Sequence, residues 1–190
     1  MPSPAGSHAG GELRAFVGVG GNLGDRLATL RSAVRMLAEG IVPRTRVVSS
    51  SAVYETRPVG PSKGAFLNAV IELRTELEPR QLLEGLLELE ARHGRERRKR
   101  WDARTLDLDL LVVQRADDHG AWQELRVDVE GLTLPHPRIG DRDFVLVPLS
   151  DLTGGEAVLD GCTAGAWLDA IAETERTILR RVLEVGELLR

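Results

Sequence analysis

The chain has 190 residues, 42% of them hydrophobic, a formal net charge of −4 and one cysteine, Cys162. That length can bury a substantial core in one domain without disulfides. The lone cysteine excludes an internal disulfide and an all-cysteine zinc site, and the mild acidity gives no support to general nucleic-acid binding. No apolar run nears the ~20 residues that span a bilayer, and "MPSPAGSHAGGELR" lacks the basic-then-apolar pattern of a signal peptide. The expectation is a single domain over residues 13–190 in a reducing, cytoplasmic setting, with no nucleic-acid or membrane partner.

In chain order, residues 1–12, rich in Pro, Gly, Ala and Ser, read as a disordered leader. "RAFVGVG" (14–20) reads as a short buried strand and "GGNLGDR" as the turn after it. Leu23, Leu27, Leu30, Val34 and Leu37 recur at helical spacing, which predicts a helix to about Glu39 with Gly40 as its stop. "TRVVSSSAVYET" (45–56) and "AFLNAVIELRT" (65–75) read as the second and third strands. Pro79 suits the first turn of a second helix, with Leu82, Leu83, Leu86, Leu87 and Leu89 as its apolar face and Gly94 at its end. "TLDLDLLVV" (105–113) is the fourth strand. The order β-α-β-β-α-β is the split βαβ arrangement of an α+β, ferredoxin-like core. Residues 114–130 add a hairpin, 135–152 a loop entering a short helix, and 163–189 read as mainly helical.

Two features carry chemistry. In "RTLDLDLL" (104–111) the strand period places Asp107 and Asp109 on one face and Leu106, Leu108 and Leu110 on the other. Paired carboxylates repel and call for a cation, a shared proton or basic partners. Directly before them, "RHGRERRKRWDAR" (92–104) crowds arginines, a lysine and a histidine against only two acids. A basic loop running into an acidic strand suits a polyanion and the cations that travel with it. The glycine turn is not a dinucleotide fingerprint, because a motif starting at Gly18 and Gly20 needs glycine where Leu23 stands, and no P-loop occurs anywhere.

Together "GGNLGDR", "YETRPVG", "FLNAVIEL", "RWDARTLDLDLL" and "LPHPRIGDRDFVLVPL" resemble the 6-hydroxymethyl-7,8-dihydropterin pyrophosphokinase family over roughly residues 14–152. The resemblance implies a ferredoxin-like α+β fold and transfer of pyrophosphate from ATP to 6-hydroxymethyl-7,8-dihydropterin in folate biosynthesis. AMP is the implied by-product, two Mg2+ ions the cofactors, and ATP and the pterin the small-molecule partners. It implies that Asp107 and Asp109 bind both metals, and that Arg95 and Arg104 are catalytic. Arg95 and Arg97 would lie on a loop that closes over the triphosphate. Thr56, Val59, Phe66, Asn68, Trp101 and Phe144 would bind pterin; Glu90, Arg97, Leu110, Thr133, His136 and Arg142 would bind ATP.

Asparagine suits the pterin role, since an amide offers a donor and an acceptor side by side; arginine suits phosphate through its planar, permanently charged fork. Three positions depart from the family pattern. Arg57 stands where proline is common, Phe66 where tyrosine is often found, and Gly131 where some members place another ATP-binding arginine. The competing class is a binding module on the same fold. An RNA-binding sheet needs aromatics on its central strands, which 14–20 and 65–75 lack as a set, and a regulatory pterin or nucleotide domain leaves the acid pair unexplained.

Overall fold

The computed structural model describes residues 11–59, 64–94 and 104–190. Its elements are β1 (Leu13–Gly21), α1 (Arg26–Ala38), β2 (Thr45–Ser50), β3 (Val53–Thr56), β4 (Phe66–Thr75), α2 (Pro79–Arg92), β5 (Asp107–Ala116), β6 (Trp122–Glu124), β7 (Val127–Val129), β8 (Leu132–Leu134), α3 (Asp143–Thr153), β9 (Ala157–Leu159), β10 (Cys162–Thr163), α4 (Ala164–Asp169) and β11 (Ile178–Leu183). The main sheet runs β11-β3-β4-β1-β5-β6, with β2 also paired to β4. The pairings among β1, β3, β4 and β5 are antiparallel, and the fold is α+β.

Local chemistry accounts for the helix ends. The Asp25 carboxylate accepts from the Ala28 N–H to cap α1. At α2 the Gln81 side chain reaches back to the Glu78 N–H, Pro79 occupies the first turn, and Gly94 follows the helix with φ +78°, as a C-terminal stop requires. Leu30, Val34 and Leu37 of α1 and Leu82, Leu86 and Leu89 of α2 bury against the face of the sheet formed by Ala15, Val17, Val19, Leu67, Ile71, Leu108 and Leu110. On the opposite face Phe16, Val70, Leu111 and Val112 pack beneath Val145, Leu146 and Leu149 of α3. That second cluster covers only part of its face, and the uncovered end becomes a cleft.

A bulge sets which side chains reach the cleft. Along β1 and β5, Phe16 pairs with Val112 and Val17 with Leu110, leaving Leu111 extra. Leu111 and Val112 therefore both join the α3 side, while Leu108 and Leu110 stay on the helix side.

Two sequence readings change. The single strand expected over 45–56 is broken into β2 and β3 at Ser51 and Ala52, both buried; the Ser51 hydroxyl accepts from the Val70 N–H in place of a ladder partner. The segment 163–189, expected to be mainly helical, contains one six-residue α-helix, two three-residue 3-10 turns at Glu173–Glu175 and Glu187–Leu189, and a strand, β11, which pairs with β3. Leu179, Val182 and Leu183 sit at helical spacing. The open edge of β3 overrides it, because its backbone groups need partners and Ile and Val suit a strand. Among the described residues no helix is long and apolar enough to cross a membrane.

Candidate active site

The cleft has a volume of about 420 Å³. Its floor follows one cross-strand row: Asp107 of β5 lies opposite Gly20 of β1, and Gly20 opposite Asn68 of β4. In the next row Asp109 lies opposite Gly18. With strands about 4.8 Å apart, the acids and the asparagine stand about 10 Å apart across a strip floored by glycine. That strip depends on missing side chains, since a Cβ on Gly20 would come 2.7 Å from Asn68 Oδ1.

Of the residues singled out from sequence, Thr56, Val59, Phe66, Asn68, Arg104, Asp107, Asp109, His136, Arg142 and Phe144 line this cleft. On the side of β3 and β4, Asn68 Nδ2 donates to Thr56 Oγ1 at 2.8 Å, and Phe66 is only half-buried at the start of β4. Arg26, at the start of α1, ties this side together. Its guanidinium donates to the Ala65 carbonyl at 2.7 Å and to Glu55 at 2.9 Å.

On the acid side Arg104 pairs with Asp107, and Arg142 Nη1 lies 3.5 Å from Asp109 Oδ2. Burial, and then the negative charge of Asp107, push the Asp109 carboxyl above the usual carboxylate range despite His136, Arg142 and Arg104. Burial also lowers the His136 imidazole, with Arg142 and Arg138 adding to the effect and Asp109 opposing it; burial lowers Arg142 too. The Arg138 N–H faces His136 Nδ1 at 3.2 Å, which leaves the neutral ring's proton on Nε2 as a donor.

The glycine-rich turn has a positioning task. Asn22 donates its N–H to the Arg104 carbonyl at 3.0 Å and accepts from the Arg104 N–H through Oδ1 at 2.8 Å. A Cβ on Gly21 would collide with the Thr105 carbonyl. The turn thus anchors Arg104 beside the acid pair.

Six candidates remain. Arg95, Arg97 and Trp101 lie outside the described residues. Glu90, Leu110 and Thr133 do not line the cleft. Glu90 is buried on α2 and accepts from the Leu108 N–H at 2.6 Å. Leu110 points into the core beneath α1 and α2 because it lies one residue out of phase with Asp109. Thr133 is exposed on β8, its hydroxyl donating to Asp128.

Two charged cleft residues were missed as site candidates. Arg138 lines the wall, and its signal was its place two residues after His136 in "LPHPR". Arg57, noted only as a departure, also lines the cleft. At Gly131 the turn between β7 and β8 adopts φ +76°, which glycine takes without strain and arginine does not.

A cleft joining paired carboxylates to guanidinium groups is the arrangement of a phosphoryl-transferring enzyme. A family model described as 7,8-dihydro-6-hydroxymethylpterin-pyrophosphokinase matches residues 16–154. The 2-amino-4-hydroxy-6-hydroxymethyldihydropteridine pyrophosphokinase of Methylorubrum extorquens is 42% identical over 151 residues, covering 76% of this chain and 89% of the relative. That of Bacillus subtilis is 40% identical over 139 residues, 73% of this chain and 77% of the relative. The mitochondrial folate synthesis bifunctional protein of Arabidopsis thaliana is 34% identical over 157 residues, 82% of this chain and 26% of that longer protein. The chain belongs to the 7,8-dihydro-6-hydroxymethylpterin-pyrophosphokinase family. It is a pyrophosphokinase that transfers pyrophosphate from ATP to hydroxymethyldihydropterin in folate synthesis.

Proposed function

We propose that the reaction takes place across the glycine-floored strip, with pterin held on the Asn68 side and the ATP polyphosphate on the side of Asp107, Asp109, His136 and Arg142. The pterin hydroxymethyl oxygen forms a bond to the β-phosphorus, the bond from that phosphorus to the α-phosphate oxygen breaks, AMP leaves and the hydroxyl proton passes to solvent. The observation that carries this reading is the single row joining Asp107, Gly20 and Asn68. It sets a charge-handling end and an amide-reading end on one rigid sheet.

Two Mg2+ ions fit the acid end. Among the described residues no group of three or more His, Cys, Asp or Glu side chains could hold a metal by itself. Magnesium commonly takes one or two carboxylates plus substrate phosphates. A cation would also relieve the unfavourable ionisation of Asp109, pushed up by burial and by Asp107. Asp107 and Asp109 would hold the ions, which when bound neutralise phosphate charge and make the attacking hydroxyl more acidic.

The side chains supply the rest. Arg104 and Arg142, each paired with one acid in the free protein, are the cations positioned to turn toward phosphate oxygens. His136 offers Nε2–H as a neutral donor, and nearby phosphate charge would favour its protonated form. Asn68 reads the amino-pyrimidinone edge through its amide, while Phe66 and Phe144 supply apolar ring surface to opposite faces of the pterin. Phosphoryl transfer runs largely on alignment and charge neutralisation, so the reaction requires no dedicated base. We place the reaction in the cytoplasm, where ATP is available.

The test is incubation with ATP, Mg2+ and 6-hydroxymethyl-7,8-dihydropterin, with AMP and the pterin diphosphate as readouts. Stoichiometric formation of both supports the proposal. Binding of both ligands with no AMP would mark a regulatory module and overturn it.

A further inference from the structure

The family match ends at residue 154, yet a segment beyond it meets the pterin side of the cleft. Asp143, the first residue of α3, is 3% exposed. Its Oδ1 accepts from the Thr177 hydroxyl at 2.6 Å, and its Oδ2 from the N–H groups of Thr177 at 2.5 Å and Ile178 at 3.0 Å. Thr177 in turn holds the neighbouring loop, for its carbonyl accepts from the Arg57 N–H at 2.8 Å. The Arg57 side chain donates to the Arg176 carbonyl at 2.5 Å, and Ile178 pairs with Thr56 at the end of β3. Arg57 stands where the family commonly has proline, and a proline has no N–H to make the first of these bonds.

Through this chain of contacts Asp143 links two walls of the cleft. One is α3, which carries Phe144 and is preceded directly by Arg142. The other is the strand end carrying Thr56 and Val59. The two walls are not equally secure. Val145, Leu146 and Leu149 root α3 in the core beside Phe16 and Val112. β3 is four residues long, and the chain leaving it depends on Thr177 for its first backbone bond.

We infer that Asp143 and Thr177 are positioning residues for the pterin subsite: a clasp between α3 and the C-terminal strand that sets where the Thr56–Val59 wall stands. This rests on the assignment of that wall to pterin. The clasp works by hydrogen-bond geometry rather than by charge. An asparagine at 143 can still accept from the two backbone N–H groups through its oxygen and donate to the Thr177 hydroxyl through its nitrogen, whereas alanine leaves all three donors without their acceptor. Thr177→Val removes only the hydroxyl donor and Thr177→Ser restores it.

The experiment is steady-state kinetics on the full chain, with KM for pterin and for ATP measured separately and Asn68→Ala as a reference for the subsite. Loosening one wall of a binding site should raise the pterin KM about tenfold in Asp143→Ala and about threefold in Thr177→Val. Asp143→Asn and Thr177→Ser should stay within about twofold of the parent, and the ATP KM within about twofold throughout, because α3 keeps its core packing. Should Asp143→Ala fail to fold, the Thr177→Val and Thr177→Ser pair decides.

If Asn68→Ala raises the pterin KM while Asp143→Ala and Thr177→Val leave it unchanged, the clasp does not position the subsite. Equal rises in both KM values with a lower melting temperature would reduce it to general stability. An Asp143→Asn variant as impaired as Asp143→Ala would make charge the operative property. All three outcomes overturn the inference. An unchanged pterin KM in Asn68→Ala would instead remove the pterin assignment itself, and the inference with it.

Discussion

Replacing Gly20 with alanine puts one methyl group into the middle of the row that joins the acids to the asparagine. Its Cβ would lie 2.7 Å from Asn68 Oδ1 and 3.5 Å from the Leu67 carbonyl. The backbone oxygen is at ordinary contact distance, so the Asn68 side chain is what must move. Turning it away breaks the 2.8 Å bond from Asn68 Nδ2 to Thr56 and misaims the amide proposed to meet the pterin. A net hydrogen bond of about 1 kcal/mol plus imperfectly paired ligand groups at about 1 kcal/mol gives about 2 kcal/mol, or roughly 30-fold in kcat/KM for pterin.

Stability should barely change, because alanine gains about 0.5–1 kcal/mol over glycine in a strand and this offsets the displaced side chain. In a chain of this size that keeps the melting temperature within about 3 °C of the parent. The assay is kcat/KM for pterin at saturating ATP, beside a thermal melt and the KM for ATP. Gly18→Ala is the comparison, since its Cβ would meet Leu111 and Asp109 only at 3.6–3.7 Å and should cost less. Parental pterin kinetics in Gly20→Ala would refute the argument that Asn68 reads the pterin from this row.

Asp107→Asn and Asp109→Asn should each lower turnover at least ~10³-fold, about 4 kcal/mol of transition-state stabilisation, with the fold retained by circular dichroism; near-normal turnover in either variant would remove the metal site. Asp109→Asn should also raise the melting temperature of the metal-free protein at neutral pH. The folded Asp109 carboxyl is pushed up, so its ionised form costs stability once pH rises through that raised value, and asparagine cannot ionise. His136 has the opposite sign in pH. Its folded imidazole is lowered, so the unfolded chain takes up its proton first and stability falls as pH drops from the ordinary imidazole range toward the lowered value. Subtracting His136→Gln unfolding curves from the parent's should isolate that slope, and parallel curves would show that burial of the ring does not govern its titration.

Legibility from sequence tracked how local each signal was. Both main helices were readable because their apolar spacing, caps and glycine stops all lie within the element. The acid pair on one strand face was readable for the same reason, since period two needs no knowledge of neighbours. The break at Ser51 and the strand at 178–183 were not, because each answers to a partner distant in sequence: the Val70 N–H in one case and the open edge of β3 in the other. Glu90 also has a partner that sequence did not reveal: on α2 its carboxylate accepts from the Leu108 N–H.

By itself, then, the chain determined its two main helices, most of its core strands, their α+β order and the residue types offered in "RTLDLDLL", "FLN" and "LPHPRIGDRDF", because propensity, period and residue type are properties of short stretches. Tertiary structure decided which of those groups meet. Register across β5, β1, β4 and β3 put Asp107, Gly20 and Asn68 in one row, and the bulge at Leu111 turned Leu110 to the core. Asn22 was bound to Arg104, and Asp143 to Thr177 across 34 residues. Such contacts depend on backbone pairing and close packing between segments far apart in the chain, where a shift of one residue sends a side chain to the other face.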